Sequence, residues 1–313
     1  MAKVSCRKAF SSALLECAQK DENIFTIATD SRGSVTTSNF FKELPEQSVE
    51  LGIAEQNAVA MGAGLALTGK NVFVTSPACF LAARAYEQVK VDVAYNNTNV
   101  KLIGVSAGVS YGPLGCTHTS LHDFASMRSL PNIHVYAPAD GVQTTWLINH
   151  LASWEGPAYV RMGRGDVEAV YPEGTEFELG KAKVALDGSD VTLIACGEMV
   201  YPAVEAAKLL EKDGISARVI DMFCLKPFDR ETIETAAKET KAIVTVEEHS
   251  VYGGLGELVA HVVTESCPRK MAILGFPDEE YVVGKSSELF QHYGLTAKDI
   301  AAHAKRILSE VVE

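Results

Sequence analysis

Apolar positions along this chain follow two alternating rhythms. Short runs that are apolar at nearly every position, such as Ile24–Ala28 and Val191–Cys196, read as strands buried on both faces. Longer stretches repeat apolar residues every three or four positions, as Phe10, Leu14, Leu15 and Ala18 do, and read as amphipathic helices. On this pattern helices are expected at 5–20, 54–68, 84–95, 121–129 and 140–151. They are interleaved with strands at 24–28, 72–76, 100–106, 133–136 and 158–162. A second set follows, with strands 191–196, 217–222, 242–247 and 271–275 and helices 200–213, 229–239, 254–265 and 296–311. Between the sets, Val170–Asp190 carries Pro172, Gly174, Gly180 and Gly188 and reads as a connection. The expected fold is therefore α/β, with two domains, each a mostly parallel sheet flanked by helices. The boundaries expected are 1–170, a linker at 171–189, and 190–313.

Parallel sheets place ligands beyond the carboxyl ends of their strands. That rule selects Asp30–Ser34, Ser76–Phe80, Ser106–His118 and Arg161–Arg164, which are also polar, glycine-rich segments of the first half. Into the same region runs Glu50-Leu-Gly-Ile-Ala-Glu-Gln-Asn57, followed by a helix rich in Ala and Gly. Gly62 and Gly64 each cost about 1 kcal/mol of helix propensity. With Ala58 and Ala60 they would leave a shallow groove for close packing, here expected against a second copy of the chain. Locally, Glu55 could be no more than a first-turn acid complementing the helix dipole.

Composition narrows the class. Of 313 residues, 47% are hydrophobic and 22% charged, which is ordinary for a soluble globular chain. There is no apolar run of about 18 residues, so no membrane span is expected. A net charge of −12 argues against a nucleic-acid or anionic-membrane surface. Seven scattered cysteines without a C-x-x-C pair read as reduced thiols in a cytoplasmic protein. His118 and His122 lie four apart, but nothing completes a metal-ligand spacing, and no metal site is expected in this chain.

Six short motifs then occur in order: Gly52-Ile-Ala-Glu55-Gln-Asn, Phe80-Leu-Ala-Ala-Arg-Ala-Tyr-Glu-Gln88, Ala107-Gly-Val-Ser, Gly115-Cys-Thr-His118, Met127-Arg-Ser-Leu-Pro-Asn132 and Pro138-Ala-Asp140. Together they resemble the C-terminal half of transketolases, meaning the pyrimidine-binding domain followed by the C-terminal domain. The resemblance covers nearly the whole chain. It implies thiamine diphosphate as cofactor and transfer of a two-carbon ketol unit from a ketose phosphate. Glu55 matches the glutamate that hydrogen-bonds the aminopyrimidine ring nitrogen of the cofactor and so activates it. Phe80 matches the aromatic that stacks on that ring, although Pro77 stands where a second aromatic is frequent. Asp30 matches an acid near the thiazolium. His118 matches a histidine facing substrate oxygens, and Arg7, Ser34 and Arg161 match positions that bind the substrate's terminal phosphate.

Three departures matter. Ser106 stands where a second histidine is common, and Leu114 where an aspartate reads a sugar hydroxyl. A leucine cannot accept that hydrogen bond, and a buried hydroxyl left unpaired costs about 1–3 kcal/mol, so a branched or differently configured ketose phosphate is expected. The third is an absence: no Gly-Asp-Gly string exists. In the resemblance that element begins the diphosphate and Mg²⁺ site. This chain should therefore hold half an active site, with the cofactor's diphosphate and its Mg²⁺ (or Ca²⁺) held by a partner resembling the transketolase N-terminal section. Homodimerisation, and a heterotetramer with that partner, are expected. The alternatives are a β subunit of a 2-oxoacid dehydrogenase component and a non-catalytic assembly partner. Val246-Glu-Glu-His249 followed by Gly253-Gly-Leu-Gly256 resembles an acid-then-glycine loop of the same families, and the resemblance implies a role in packing and assembly.

Overall fold

The computed structural model describes residues 3–311. The first region contains α1 (Cys6–Ala18), β1 (Ile24–Ala28), α2 (Ser38–Glu43), β2 (Ser48–Glu50), α3 (Glu55–Ala66), β3 (Asn71–Pro77), α4 (Ala78–Ala83) and α5 (Tyr86–Gln88). A π-helical turn at Val89–Tyr95 leads to β4 (Val100–Val105), α6 (Asp123–Ser129), β5 (His134–Tyr136), α7 (Gly141–Ser153) and β6 (Ala158–Met162). The second region contains β7 (Lys183–Leu186), β8 (Val191–Ala195), α8 (Val200–Glu211), β9 (Ala217–Asp221), β10 (Cys224–Lys226) and α9 (Arg230–Glu239). It ends with β11 (Ala242–Ser250), α10 (Leu255–Ser266), β12 (Lys270–Phe276), α11 (Ser286–His292) and α12 (Ala297–Ser309).

Seven strands form the first sheet in the order β10-β5-β6-β4-β3-β1-β2, and five form the second in the order β12-β11-β8-β9-β7. Both sheets are parallel except at one edge, where β10 and β7 run antiparallel to their neighbours. The central strands β3, β4, β6 and β8 are buried at every position. Helices cover both faces of such strands, which is why they read as continuous apolar runs.

The segment expected to be a plain connection carries β7, and its Phe177 packs edge-on against Trp146, Tyr171 and Phe223. Asp140 anchors the start of that segment. Its Oδ1 caps α7 by accepting from Gln143 N, while Oδ2 accepts from Val170 N and Tyr171 N. The helix expected over 84–95 is instead α5 and the π-turn, joined to α4 through Arg84. Irregular helices of this kind recur at functional sites.

The small residues of α3 divide their work. A Cβ on Gly62 would sit 2.7 Å from Val74 Cγ2, so Gly62 lets α3 lie close on β3 of its own sheet. Ala60 and Gly64 face outward, and a Cβ on Gly64 would meet nothing within 4 Å. The groove expected at Ala58 and Gly62 is thus filled from within the chain.

Candidate functional site

The carboxyl ends of β1, β3, β4 and β6 deliver their loops to one side of the first sheet. β3 passes directly into α4, with Pro77 both the last strand residue and the residue capping the helix, which sets Phe80 in the first turn. Glu55 opens α3 and is 2% exposed. Arg84 Nη1 donates to Glu55 Oε2 at 2.7 Å, and the Arg84 guanidinium lies 4.8 Å from the Phe80 ring centroid. Among the described residues no other side chain or backbone amide bonds Glu55, which leaves Oε1 for an incoming donor or ring nitrogen.

From Phe80 the contacts continue in one strip. Phe80 meets the His118 ring edge-on at 5.4 Å, and His118 meets Tyr111 edge-on at 5.7 Å. Thr117 Oγ1 lies 2.9 Å from His118 Nδ1, so Nε2 is the nitrogen left for a ligand. Arg164 Nη1 donates to the Tyr111 hydroxyl at 2.7 Å, with its guanidinium 4.9 Å from that ring. Arg7 then closes the strip: its Nε donates to Arg164 O at 2.9 Å and its Nη1 to Ser34 O at 2.7 Å. Burial and the like charge of Arg164 both push the Arg7 guanidinium below its usual range. Two cations held this close favour an anion between or beside them.

Asp30 lies at the carboxyl end of β1 in left-handed backbone, with φ of 55°. Its N–H donates to Glu50 Oε1 at 2.7 Å, as does Gly52 N at 3.1 Å, while Arg32 pairs with Glu50 Oε2. Glu50 thereby ties the Asp30 turn to the entry of α3. Ser106 is also left-handed (φ 58°), buried, and its hydroxyl has no partner among the described residues. Such backbone costs about 1–3 kcal/mol and gathers at functional sites. Leu114 is exposed on the loop that carries His118, and Val283 of the second region reaches the adjacent Gly115.

Arg161 is placed elsewhere. It is 5% exposed, its Nε donates to Asp123 Oδ2 at 2.9 Å, and Nη2 donates to the carbonyls of Ser120 and Glu248. Its guanidinium stacks over Phe124 at 4.5 Å, and Tyr159 donates to the same Asp123 oxygen. Burial lowers its proton affinity, but Asp123 and Glu248 more than reverse that and hold the charge firmly. With Nε and Nη2 committed to these partners and the side chain buried, the strip contains Glu55, Phe80, His118, Arg7 and Ser34 but not Arg161. The reason is the strand itself: Arg161 lies within β6, whereas Arg164 lies beyond its end. Arg84, Tyr111 and Arg164 are site residues that the motifs did not assign. For Tyr111 and Arg164 the signal was position, since each lies in a segment that follows a strand's carboxyl end, whereas Arg84 follows α4 and stood inside the Phe80–Gln88 motif without a role.

Glu247 accepts from Leu255 N and Gly256 N at 2.6 and 2.8 Å, an acid seated on the N-terminus of α10. His249 is buried, stacks on Phe124 at 5.1 Å, and is held near pKa 4 by burial. No cluster of three or more metal-ligating side chains occurs among the described residues, and none of their helices is long and apolar enough to cross a membrane. A groove of about 770 Å³ lies between α1, α7 and residues 167–176, and no candidate site residue lines it. The strip itself is an open edge.

Comparison with known families gives two matches. The family "Transketolase, pyrimidine binding domain" matches residues 2–169, and "Transketolase, C-terminal domain" matches residues 180–300. The chain is 52% identical over 302 residues, 96% of each chain, to an apulose-4-phosphate transketolase subunit of Phocaeicola vulgatus. It is 42% identical to a putative transketolase C-terminal section of Methanocaldococcus jannaschii, covering 97% of this chain and 96% of that one. A solved structure described as a split gene transketolase, inactive beta4 tetramer, superimposes with a TM-score of 0.91 at 40% identity, over 99% of this chain and 100% of that one.

Proposed function

We propose that this chain, which belongs to the transketolase family as the C-terminal subunit of a split enzyme, supplies the pyrimidine and substrate side of an active site completed by an N-terminal subunit. The family implies thiamine diphosphate, which when bound supplies the carbon nucleophile for ketol transfer. The residues present fit its pyrimidine end. Glu55 offers a buried carboxyl with one oxygen engaged by Arg84 and the other free, beside the face of Phe80. That single arrangement carries the reading. Glu55 would hold the cofactor's ring nitrogen through a shared proton, with Arg84 keeping the carboxyl in place and Asp30 at the neighbouring turn set by Glu50.

His118 Nε2 hydrogen-bonds substrate oxygens, and Arg7 with Arg164, beside Ser34, takes the terminal phosphate. Arg164 replaces Arg161 in that role because it has donors on the open edge. The diphosphate and its metal are assigned to the partner subunit, as this chain contributes the pyrimidine side alone. Leu114 favours a ketose phosphate lacking the hydroxyl configuration that an acid at this position would read. Two relatives are named for apulose-4-phosphate, and a branched ketose phosphate is the donor proposed for this chain.

Met61, Ala60 and Gly64 are exposed on the outer face of α3, with Ile53 exposed just before the helix and Leu67 just after it, and Tyr95 is exposed at the end of the π-helical turn that packs against α3. This face is the proposed contact between two copies, giving a heterotetramer with the partner. The relative described as an inactive beta4 tetramer is in line with a chain that self-associates but does not turn over alone. The test is reconstitution. The chain, its N-terminal partner, thiamine diphosphate and Mg²⁺ should transfer ketol units from a branched ketose phosphate, and the chain alone should not. A monomeric chain that turns over ketose phosphates unaided defeats the split-site reading.

A further inference from the structure

Two acids on the second domain, Glu248 buried and Glu198 partly buried, remain unused by the chemistry above. Glu198 lies in the single 3-10 turn Gly197–Met199 after β8, and Glu248 lies in β11. Glu198 Oε1 accepts from Gly163 N at 3.0 Å, and Glu248 Oε1 accepts from Val109 N at 2.8 Å. The two amides belong to the two substrate-edge loops of the first domain. One residue beyond Gly163 is Arg164. Two residues beyond Val109 is Tyr111, which holds Arg164 and contacts His118.

Each carboxyl is seated on a glycine. A Cβ on Gly163 would fall 2.3–2.6 Å from the Glu198 carboxyl atoms, and one on Gly108 would fall 2.1–2.2 Å from those of Glu248. Gly108 also has φ of 59°, which a side chain rarely adopts. Gly108 bonds in both directions with Ser120, so the Glu248 seat lies where the two ends of the 108–120 loop meet. Ser286 adds a hydrogen bond to Val109 O at 3.0 Å.

We propose that Glu198 and Glu248 are positioning residues, by which the second domain sets the loops carrying Arg164 and His118 against one another. This rests on the strip being the substrate site. Holding the domains together does not require either acid. That is done by β10 pairing with β5 and by Arg128 Nη1 donating to the carbonyls of Gly253 and Gly254. What the acids contact instead is loop backbone next to substrate-facing residues. Facing them are Arg161, Asp123, Cys6 and each other, with Arg161 the one cation among these groups. Burial pushes both carboxyls up to about 7, so near neutrality each is poised between charged and neutral acceptor, and both forms accept an N–H.

The test uses the full chain reconstituted with its N-terminal partner, in four variants: Glu198→Ala, Glu198→Gln, Glu248→Ala and Glu248→Gln. Glu198→Ala should raise KM for the phosphorylated donor by about tenfold, with little change for an unphosphorylated analogue. Glu248→Ala should lower kcat by about tenfold. The half-saturating thiamine diphosphate concentration should stay as in the unaltered complex. Glutamine keeps an acceptor oxygen and should restore each constant to within about threefold. Amide hydrogen exchange on the isolated chain should speed up at Gly163 in Glu198→Ala and at Val109 in Glu248→Ala, but not in the glutamine variants. The proposal is overturned if the alanine variants lose stability alone, with kinetic constants and exchange at 107–120 and 161–166 unchanged. It is equally overturned if phosphorylated and unphosphorylated donors suffer alike in Glu198→Ala. Should the unaltered complex fail to turn over ketose phosphates, the proposed function falls, and the exchange result still decides this inference.

Discussion

Replacing Arg161 by alanine should damage folding rather than phosphate recognition. The guanidinium and Asp123 are 5% and 0% exposed and bonded at 2.9 Å. Removing the cation leaves Asp123 in the interior with the Tyr159 hydroxyl as its remaining donor, since its other oxygen already lacks a partner. An uncompensated buried charge of this kind costs about 3–5 kcal/mol. The stacking over Phe124 adds about 1 kcal/mol. Set against a total stability of about 5–15 kcal/mol for a domain, that is a large fraction. Urea titration of the isolated chain, followed by circular dichroism, should show a clearly lower midpoint for Arg161→Ala. Arg164→Ala gives up a part-buried bond to Tyr111 and should cost no more than about 1 kcal/mol, yet weaken phosphorylated substrates in the reconstituted enzyme. The double variant Asp123→Asn with Arg161→Met removes both charges and should recover much of the lost stability. The reasoning fails if Arg161→Ala unfolds at the wild-type urea concentration while its KM for the phosphorylated donor rises.

Four other outcomes are expected. Glu55→Gln should fold and assemble normally but slow hydrogen–deuterium exchange at C2 of thiamine by orders of magnitude in the reconstituted enzyme; near-normal exchange removes Glu55 from its role. Asp221 is buried, accepts from Tyr171 and Gln143, and is pushed up to about 7 by burial. Because its folded value exceeds the unfolded one, its contribution is full below about pH 4 and is lost as pH rises through 7, by at most about 4 kcal/mol. Asp221→Asn should therefore raise Tm at pH 8 relative to wild type and leave it nearly unchanged at pH 4, and an unaltered pH slope would contradict this. Gly64→Ala meets nothing within 4 Å and should stabilise the monomer by up to about 1 kcal/mol while weakening self-association, read by light scattering. Gly62→Ala should instead lose stability, because its methyl group would press on Val74.

The β/α alternation was legible because buried parallel strands are apolar throughout and their helices are periodic. The strands β7 and β10 were not. Lys183–Leu186 and Cys224–Lys226 are short edge strands whose identity comes from the neighbour they pair with, which no local pattern records. The ligand edge was legible too, and so was the grouping of Glu55, Phe80 and His118. Arg161 and Arg164 show where that reading ran out. Both lie in the segment that the strand-end rule selected, and three residues separate a side chain inside the sheet's helical cover from one on the open edge. Only the strand's end, at Met162, distinguishes them. Glu198 and Glu248 were invisible for a different reason, since their partners are backbone amides in the other domain.

The placement of β10 limits where this polypeptide can be divided. Its residues come after Asp221 in sequence, yet they line the border of the first sheet, and Ala137 N donates to Phe223 O just beyond. A fragment ending near residue 170 would leave β5 with a row of unanswered amides and carbonyls, an invitation to pair with any passing strand. A seam in the gene can fall ahead of α1 without opening either sheet. A second seam between the two sheets would not be innocuous, so in evolution and in the laboratory this pair of domains should travel as a unit.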